Sequence, residues 1–443
     1  MYWMASHLFH YDRDTQRGIR DEKPHLLDRC RKAPAAARTH RRNDNCNNYE
    51  RTKTYVCLPT KNFDRTYLDT TMPIHGSSKH LSRWEVEELK WQQQKREIHG
   101  HKVAAPMYGR QKRALDTGED GISKKIKATI YGNCVGDAIG LLTEFMTEAE
   151  ARELYGYKDL YLEDKRNDCH RSRWKTGEWT DDSDQMILIM RSLIQNRGKV
   201  NVEDFAKKLT DWADFGFPEL RDSGGLGIGH TTYSIIQQRD FLHNPHKAAE
   251  DVWLQSGRTI APNGGVMRTS ILGIHEWWDL DKVERNTIQI CLTTHRDPRC
   301  QASAVAVSTA IALMLQGEYF VPTIISKCLE RADRVLKDNY HKYELYKALY
   351  CENLHELRLD EEGKIGYTFK CLGAGFWALK QNDFRKALTE IVLNGGDADT
   401  NGAVAGALLG CKLGTKDDIH QPWLLGLRNK SWLDVQIDQY VRY

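Results

Sequence analysis

The sequence lacks both an apolar run long enough to cross a bilayer and a paired cysteine motif. Its longest nearly apolar stretch, Ala302 to Leu315, has 14 residues and includes hydroxyl side chains, whereas a spanning helix needs about 20. The N-terminus has no basic segment followed by an apolar one, so no secretory signal is expected. Eleven cysteines, an odd number without a C-x-x-C pair, argue against a disulfide framework or a zinc ribbon. We therefore expect a soluble protein of a reducing compartment, cytoplasmic or nuclear, with no membrane partner.

Charge is nearly balanced over the chain but is divided unevenly along it. The 443 residues carry a net charge of +3, of which residues 1–127 contribute +10 and the remainder −7. Residues 1–126 show little sustained apolar periodicity apart from one helical pattern between Ser82 and Trp91. We interpret them as a basic, loosely ordered extension and residues 127–443 as the folded domain. Because the basic residues are scattered among acidic ones, a solvated extension is favoured over a specific nucleic-acid module.

Alternation with a period of two, the pattern of a β-strand, does not recur from Lys127 onward, and helical spacing does. Ser183–Gln195 presents apolar residues at helical spacing, and a second amphipathic helix is predicted to start at Asn201. Gln301–Gln316 and Asn401–Leu413 are rich in Ala, Gly, Val, Ser and Leu, which is typical of helices buried on most sides. Without βαβ alternation or an internal repeat, the chain is predicted to be an all-α globule of ten or more helices.

Two short acidic clusters stand directly before apolar helices. The first is Thr180-Asp181-Asp182-Ser183-Asp184, and the second is Asp397-Ala398-Asp399-Thr400. Helix capping accounts for one polar residue at a helix start, worth about 1 kcal/mol, but not for several carboxylates beside a hydroxyl. Carboxylates without basic partners repel one another and favour a bound cation. Oxygen donors without His or Cys select Mg²⁺, Mn²⁺ or Ca²⁺, so we favour a metal site over decorated caps, and two clusters suggest two ions.

Five motifs follow one another along the chain. They are Gly136-Asp137-Ala138-Ile139-Gly140 with Glu144 beyond it, Thr180-Asp181-Asp182-Ser183, Asn263-Gly264-Gly265-Val266-Met267-Arg268, Thr294-His295-Arg296-Asp297-Pro298, and Gly395-Gly396-Asp397-Ala398-Asp399-Thr400-Asn401. Together they resemble the ADP-ribosylglycohydrolase family, of the dinitrogenase-reductase-activating glycohydrolase type. The resemblance spans about Lys127 to Trp423 and covers none of residues 1–126. It implies an all-α fold with a cleft that holds two Mg²⁺ or Mn²⁺ ions, in agreement with the periodicity and the ligand chemistry.

The resemblance also implies roles for individual residues. Asp399 would bridge the two ions, and the full set of metal ligands would be Thr180, Asp181, Asp182, Asp397, Asp399 and Thr400. Ser183 stands where the family more often has Thr and keeps the hydroxyl. Glu144 would lie beside the substrate and the metals, whereas Asp137 is expected to tie a buried helix start to neighbouring backbone.

A second set of residues would bind the substrate. The Gly-Gly turn, with Arg268 nearby, allows backbone N–H groups to approach a phosphate closely, and His295 would lie near the diphosphate. The substrate-binding residues implied are Asn263, Gly264, Gly265 and His295. The loop from Gly224 to Gly229 is a further candidate for lining the cleft.

The implied activity is hydrolysis of an ADP-ribosyl bond by a catalytic domain, residues 127–443, with release of ADP-ribose from a modified protein side chain or another acceptor. Glycosidic cleavage passes through an oxocarbenium-like state that favours carboxylates and ordered water, and Asp182 and Glu144 are both candidates for the proton transfer. The acceptor stays open among arginine, serine, a nucleic-acid end and small esters. The alternative is a non-catalytic ADP-ribose binder or crystallin-like structural protein on the same scaffold, against which the six oxygen ligands argue.

Overall fold

The computed structural model describes residues 119–442. In that part of the chain, sixteen α-helices are joined by loops and six short 3-10 helices, and no β-strand occurs. The α-helices are α1 (Glu119–Gly140), α2 (Glu148–Tyr155), α3 (Asp181–Gln195), α4 (Val202–Phe215), α5 (His230–Ile236), α6 (Pro245–Gln255), α7 (Ser270–Ile274), α8 (Leu280–Leu292), α9 (Pro298–Leu315), α10 (Val321–Val335), α11 (Asn339–Leu349), α12 (Thr368–Lys380), α13 (Phe384–Leu393), α14 (Ala398–Leu413), α15 (Gln421–Gly426) and α16 (Lys430–Arg442). The prediction of an all-α fold with ten or more helices is confirmed. The helix predicted between Ser82 and Trp91 lies outside the described residues.

Local sequence signals account for where the helices begin. Asn201 accepts a hydrogen bond from the Asp204 backbone N–H and so caps α4, whose buried face contains Phe205, Leu209 and Trp212. Helices α3, α9 and α14 correspond to the three other predicted segments and start two or three residues earlier than expected. Helix α1 begins at Glu119, so the domain boundary predicted after residue 126 falls inside a helix.

The centre of the described part of the chain is a backbone contact between α1 and α14. Gly132 and Gly136 of α1 face Gly406 and Gly402 of α14, and a Cβ added to any of the four would overlap a carbonyl group of the opposite helix. Glycine at a spacing of four residues leaves one face of each helix without side chains, so the two backbones touch. Gly140, at the end of α1, likewise lies against the first turn of α14.

Helix α9 passes through the core. With 18 residues it is longer than the apolar stretch expected from the sequence, and by length and composition alone it could cross a membrane. However, 89% of these residues are buried inside the protein, as expected of a core helix. Cysteines in the described part of the chain are mostly free, buried thiols: Cys134, Cys291, Cys300, Cys328, Cys351, Cys371 and Cys411.

The glycine contact predicts a large difference between two Gly→Ala variants. Gly136→Ala forces a Cβ into the Gly402 carbonyl and should lower the free energy of unfolding by about 2 kcal/mol or more. Gly229→Ala, at a position with open space around the added atom, should change it by less than about 0.5 kcal/mol. Denaturant unfolding of both variants measures this, and equal stability would show that α1 and α14 can separate without loss.

Candidate functional site

One cleft gathers nearly all the residues that the sequence analysis selects. It opens between the starts of α3, α5 and α14 and six loops, which end at α2, α3, α5, α7, α9 and α12. The predicted site residues that line it are Glu144, Thr180, Asp181, Asp182, Asn263, Gly264, His295, Asp397, Asp399 and Thr400. Gly227, Ile228 and Gly229 line it too, which confirms the glycine-rich loop as part of the wall. Gly265 is not on the wall, because it packs against the side chains of Cys291 and His295.

The acidic clusters do not serve as helix caps. Thr180 and Asp397 occupy the N-cap positions of α3 and α14, and neither side chain caps its helix. Asp137 of α1 caps α3 instead, accepting hydrogen bonds from the backbone N–H of Thr180 at 2.8 Å and of Ser183 at 2.9 Å, and from the Ser183 hydroxyl at 2.6 Å. These bonds confirm the structural role expected of Asp137, and they leave the cluster carboxylates available for another purpose.

Five carboxylates, four of them buried and one, Asp397, half-buried, form two overlapping groups in the cleft floor. Asp137, Asp182 and Asp399 each place one oxygen within 4.8 Å of the others, and so do Glu144, Asp397 and Asp399. Asp399 belongs to both groups. Such oxygen-only sets are the donors that Mg²⁺ or Mn²⁺ prefers.

One carboxylate oxygen in these groups has no hydrogen-bond partner, which suits a bound cation. The Thr180 hydroxyl donates to Asp182 Oδ2 at 3.0 Å, but Asp182 Oδ1 is buried without a hydrogen-bond partner. A buried carboxylate oxygen is rarely left unpaired, since its desolvation is costly. Asp182 therefore has an oxygen whose natural partner is an ion rather than a donor group of the protein.

Burial and mutual repulsion hold these acids in an unusual state. Burial, together with the charges of Asp137, Glu144 and Asp397, raises the pKa of Asp181 to about 8. Burial also raises the pKa of Asp182 and of Asp399 well above the usual range, with neighbouring carboxylates adding to the effect. A positive charge among them would stabilise the ionised forms.

Asp181 lies at the edge of the carboxylate centre. It belongs to neither group of three, and its Oδ2 accepts a hydrogen bond from Gln185 Nε2 at 2.8 Å. Its Oδ1 faces the loop at Gly227, where a Cβ would lie 2.7 Å from that oxygen. Gly227 also has a φ of +98°, a conformation that glycine adopts most readily.

The residues expected to bind substrate divide into two kinds of contact. Asn263 Nδ2 donates to Asp397 Oδ2 at 2.8 Å, so this side chain orients a carboxylate of the floor. Gly264 lies against the imidazole of His295, where a Cβ would come within 2.9 Å of Nε2. Arg268, expected near the glycine turn, is fully buried and is not part of the cleft wall.

His170 is a cleft residue that the sequence analysis missed. Its Nε2 lies 2.5 Å from Glu144 Oε2, and its Nδ1 lies 2.6 Å from an Arg173 guanidinium nitrogen. Because arginine only donates, Nδ1 must accept, and Nε2 carries the proton that is donated to Glu144. The only sequence signal was the basic and aromatic run from His170 to Trp174, which lies in a loop without helical periodicity.

A buried arginine, Arg171, holds the loop that carries Glu144. Arg171 donates to the carbonyl oxygens of Leu141 at 3.0 Å, of Leu142 at 2.8 Å and of Glu144 at 2.5 Å. It thereby satisfies carbonyl groups at the end of α1 that have no partner within the helix. Glu144 is held in place through both its backbone and its side chain.

Comparisons with known proteins agree with this architecture. A sequence model of the ADP-ribosylglycohydrolase family matches residues 119–443. The ADP-ribosyl-[dinitrogen reductase] glycohydrolase of Rhodospirillum rubrum is 26% identical over 70% of this chain and 90% of its own length. The ADP-ribosylarginine hydrolase Tri1 of Serratia proteamaculans is also 26% identical, over 68% of this chain and 74% of its own. Among solved structures, an ADP-ribosylglycohydrolase-related protein complex superposes with a TM-score of 0.54, at 21% identity over 73% of this chain and 99% of that one.

The carboxylate centre predicts that metal-free protein loses stability as the pH rises. The pKa of Asp181 is 3.8 as a free side chain and about 8 when folded, so between these values the folded state holds more protons than the unfolded chain and stability falls with increasing pH. After EDTA treatment the melting temperature should be lower at about pH 8 than at about pH 5. Mg²⁺ or Mn²⁺ should restore it at the higher pH.

Two variants make this test specific to the centre. Asp182→Asn removes one of the crowded charges and should reduce the pH dependence of the metal-free protein. Asp211→Asn, on the exposed surface of α4, should leave it as in the wild type. A melting temperature that responds neither to pH nor to divalent cations would contradict a carboxylate metal centre.

Proposed function

The chain belongs to the ADP-ribosylglycohydrolase family, and we propose that it is a metal-dependent hydrolase of the glycosidic bond between ADP-ribose and an acceptor. The observation that carries this proposal is the pair of buried carboxylate groups that share Asp399 in the floor of one cleft. Related proteins named as ADP-ribosyl hydrolases support the reaction class. The folded domain that performs it begins with α1, and residues before α1 are proposed to be an extension outside the catalytic unit.

The proposed ligands are those of the two acidic clusters, with Asp399 bridging two ions. Thr180, Asp182 and Asp399 would hold one ion, and Asp397, Asp399 and Thr400 would hold the other, with Asp181 at the edge; all six residues line the cleft. Mg²⁺ or Mn²⁺ bound there would fix ribose hydroxyls and increase the acidity of a nearby water. The unpartnered Oδ1 of Asp182 is the protein atom that most needs such an ion.

Glu144 is proposed as the group that accepts a proton from the attacking water. Asp182, the other candidate, is 2% exposed and lies between Asp137 and Asp399, which suits a ligand. Glu144 receives a hydrogen bond from the neutral imidazole of His170, which favours its ionised form and fixes its orientation. A held, ionised carboxylate beside the cleft is suited to general base catalysis of glycosidic cleavage.

The opposite wall is proposed to hold the diphosphate of the substrate. Gly264 brings backbone close to the cleft without a side chain, and the His295 ring lies directly against it. The acceptor is proposed to be a modified protein side chain. Because the two relatives are equally identical to this chain and are named for different substrates, the comparison favours neither one, and the dinitrogenase-reductase-activating type is not assigned.

Replacement of Glu144 tests the function directly. The full-length protein with Mg²⁺ should release ADP-ribose from a mixed pool of ADP-ribosylated proteins. Glu144→Gln should lower turnover by at least about 100-fold, because the proton acceptor is lost. Glu153→Gln, on the exposed face of α2, is the matched control and should keep full activity. Binding of ADP-ribose without release by the wild type would instead favour the non-catalytic alternative.

A second prediction concerns the residue shared by both carboxylate groups. Asp399→Asn removes a charge from each group and should lower both Mn²⁺ affinity and activity by at least about tenfold. Ser183→Ala, which removes one hydrogen bond to Asp137, should reduce both much less. Titration calorimetry with Mn²⁺ and the release assay measure the difference. Similar small losses in the two variants would remove the argument for a bridging ligand.

A further inference from the structure

Arg268 is fully buried behind the cleft, and each of the two side chains it contacts is in turn bonded to a residue that lines the cleft. One guanidinium nitrogen, Nη1, donates to Gln185 Oε1 at 2.7 Å, and the other, Nη2, donates to Thr294 Oγ1 at 2.5 Å. A third, longer contact of 3.4 Å goes to the Ile290 carbonyl. These partners are all neutral. Burying a cation among neutral groups costs desolvation free energy. We therefore expect Arg268 to have a role besides packing.

The contact between Arg268 and Thr294 determines which nitrogen of His295 carries a proton. Thr294 Oγ1 accepts from Arg268 and lies 2.8 Å from His295 Nδ1. With its oxygen already accepting from the guanidinium, the hydroxyl is oriented to donate its own proton to Nδ1. His295 Nδ1 is then an acceptor, and Nε2 carries the ring proton. That N–H lies beside Gly264 on the cleft wall.

The contact between Arg268 and Gln185 determines the orientation of Asp181. Gln185 Oε1 must face Arg268, because arginine can only donate, and the Gln185 Nε2 group must therefore face Asp181. This N–H holds Asp181 Oδ2 and leaves Oδ1 directed at the Gly227 loop of the cleft. The same guanidinium thus orients one group on each side of the cleft.

We propose that Arg268 is a positioning residue, which through Thr294 fixes His295 as an Nε2–H hydrogen-bond donor to an oxygen of the bound diphosphate and through Gln185 fixes the orientation of the Asp181 carboxylate at the edge of the metal centre. The part concerning ligands rests on the proposed function. The part concerning the His295 tautomer depends only on the chain itself.

The electrostatics of the cleft wall agree with this arrangement. Burial lowers the pKa of His295 well below its usual range, and the positive charge of Arg268 lowers it further. A neutral imidazole has one donor and one acceptor, and only a neutral ring can accept from Thr294 while donating into the cleft. Burial, with a further contribution from Arg268, keeps the ring neutral, and Arg268 acts through Thr294 on the direction of its hydrogen bond.

The first experiment measures the tautomer in full-length protein by ¹⁵N NMR of the His295 ring. The wild type should show an acceptor-type Nδ1 and a protonated Nε2. Thr294→Val removes the hydroxyl and should shift the ring toward the other tautomer and weaken ADP-ribose binding by about tenfold in calorimetry. Thr294→Ser keeps the hydroxyl and should restore both properties.

Thr287→Val is the matched control, taken from α8, the helix that ends just before Thr294. Thr287 is fully buried in α8, and its hydroxyl has no hydrogen-bond partner, so this variant should retain the wild-type ring signals and ADP-ribose affinity. It separates loss of the Thr294 hydroxyl from a general effect of replacing a buried threonine by valine.

The orientation of Asp181 by Arg268 through Gln185 is tested with Gln185→Met, which keeps the length of the side chain and removes its hydrogen bonds. This variant should lower Mn²⁺ affinity by about tenfold and leave the His295 ring signals unchanged. Thr294→Val should do the reverse. Arg268→Lys, whose single ammonium lacks the fork that reaches both partners, should alter both readouts.

The outcomes separate the inference from the function on which it partly rests. An unchanged His295 tautomer in Thr294→Val, or a Thr294→Ser variant as impaired as Thr294→Val, would overturn the positioning role. If Thr294→Val alters the tautomer but the wild type shows no affinity for ADP-ribose, the positioning of the ring is supported and the proposed function fails.

Discussion

The contact between the backbones of α1 and α14 is the constraint on which the cleft depends. Because glycines on both helices remove the side chains that would separate them, the end of α1 and the start of α14 lie side by side. Asp137 and Glu144 come from the first of these ends, and Asp397 and Asp399 come from the second. The carboxylate groups therefore exist because two helices approach more closely than side chains would allow, and their spacing is as rigid as the helix pair.

Arginines surround this acidic centre without pairing with it directly. His170 stands between Arg173 and Glu144, and Gln185 stands between Arg268 and Asp181. In each case a neutral side chain is hydrogen-bonded to an arginine on one side and to a carboxylate on the other, and so fixes the orientation of the carboxylate. A direct ion pair would compete with a metal ion for the same oxygen, whereas a neutral donor occupies one oxygen and leaves the remaining charge available.

Much of the fold and part of the site could be predicted from the sequence, for reasons that differ between elements. The apolar spacing of α3 and α4 and the small-residue composition of α9 and α14 are local patterns, and they located these helices to within a few residues. The acidic clusters could be recognised as a candidate site because they contain more carboxylates than a helix cap requires. The roles of His170 and Arg268 could not be predicted, because their partners lie far away in the sequence and only the folded chain brings them together. The substrate-binding role of Gly265 stays a prediction: Gly265 packs against Cys291 and His295, and a glycine needed for packing has the same sequence signal as one that approaches a ligand.

The pairing of α1 with α14 also has a consequence for how the protein is made. The two helices lie near opposite ends of the described chain, so a ribosome releases α1 long before its partner exists. During that interval the glycine face of α1 and the carboxylate of Asp137 have no native neighbour. Contacts of such long sequence separation form late and slowly, so the cleft is assembled only after α14 has been synthesised, and a nascent chain cannot act before then.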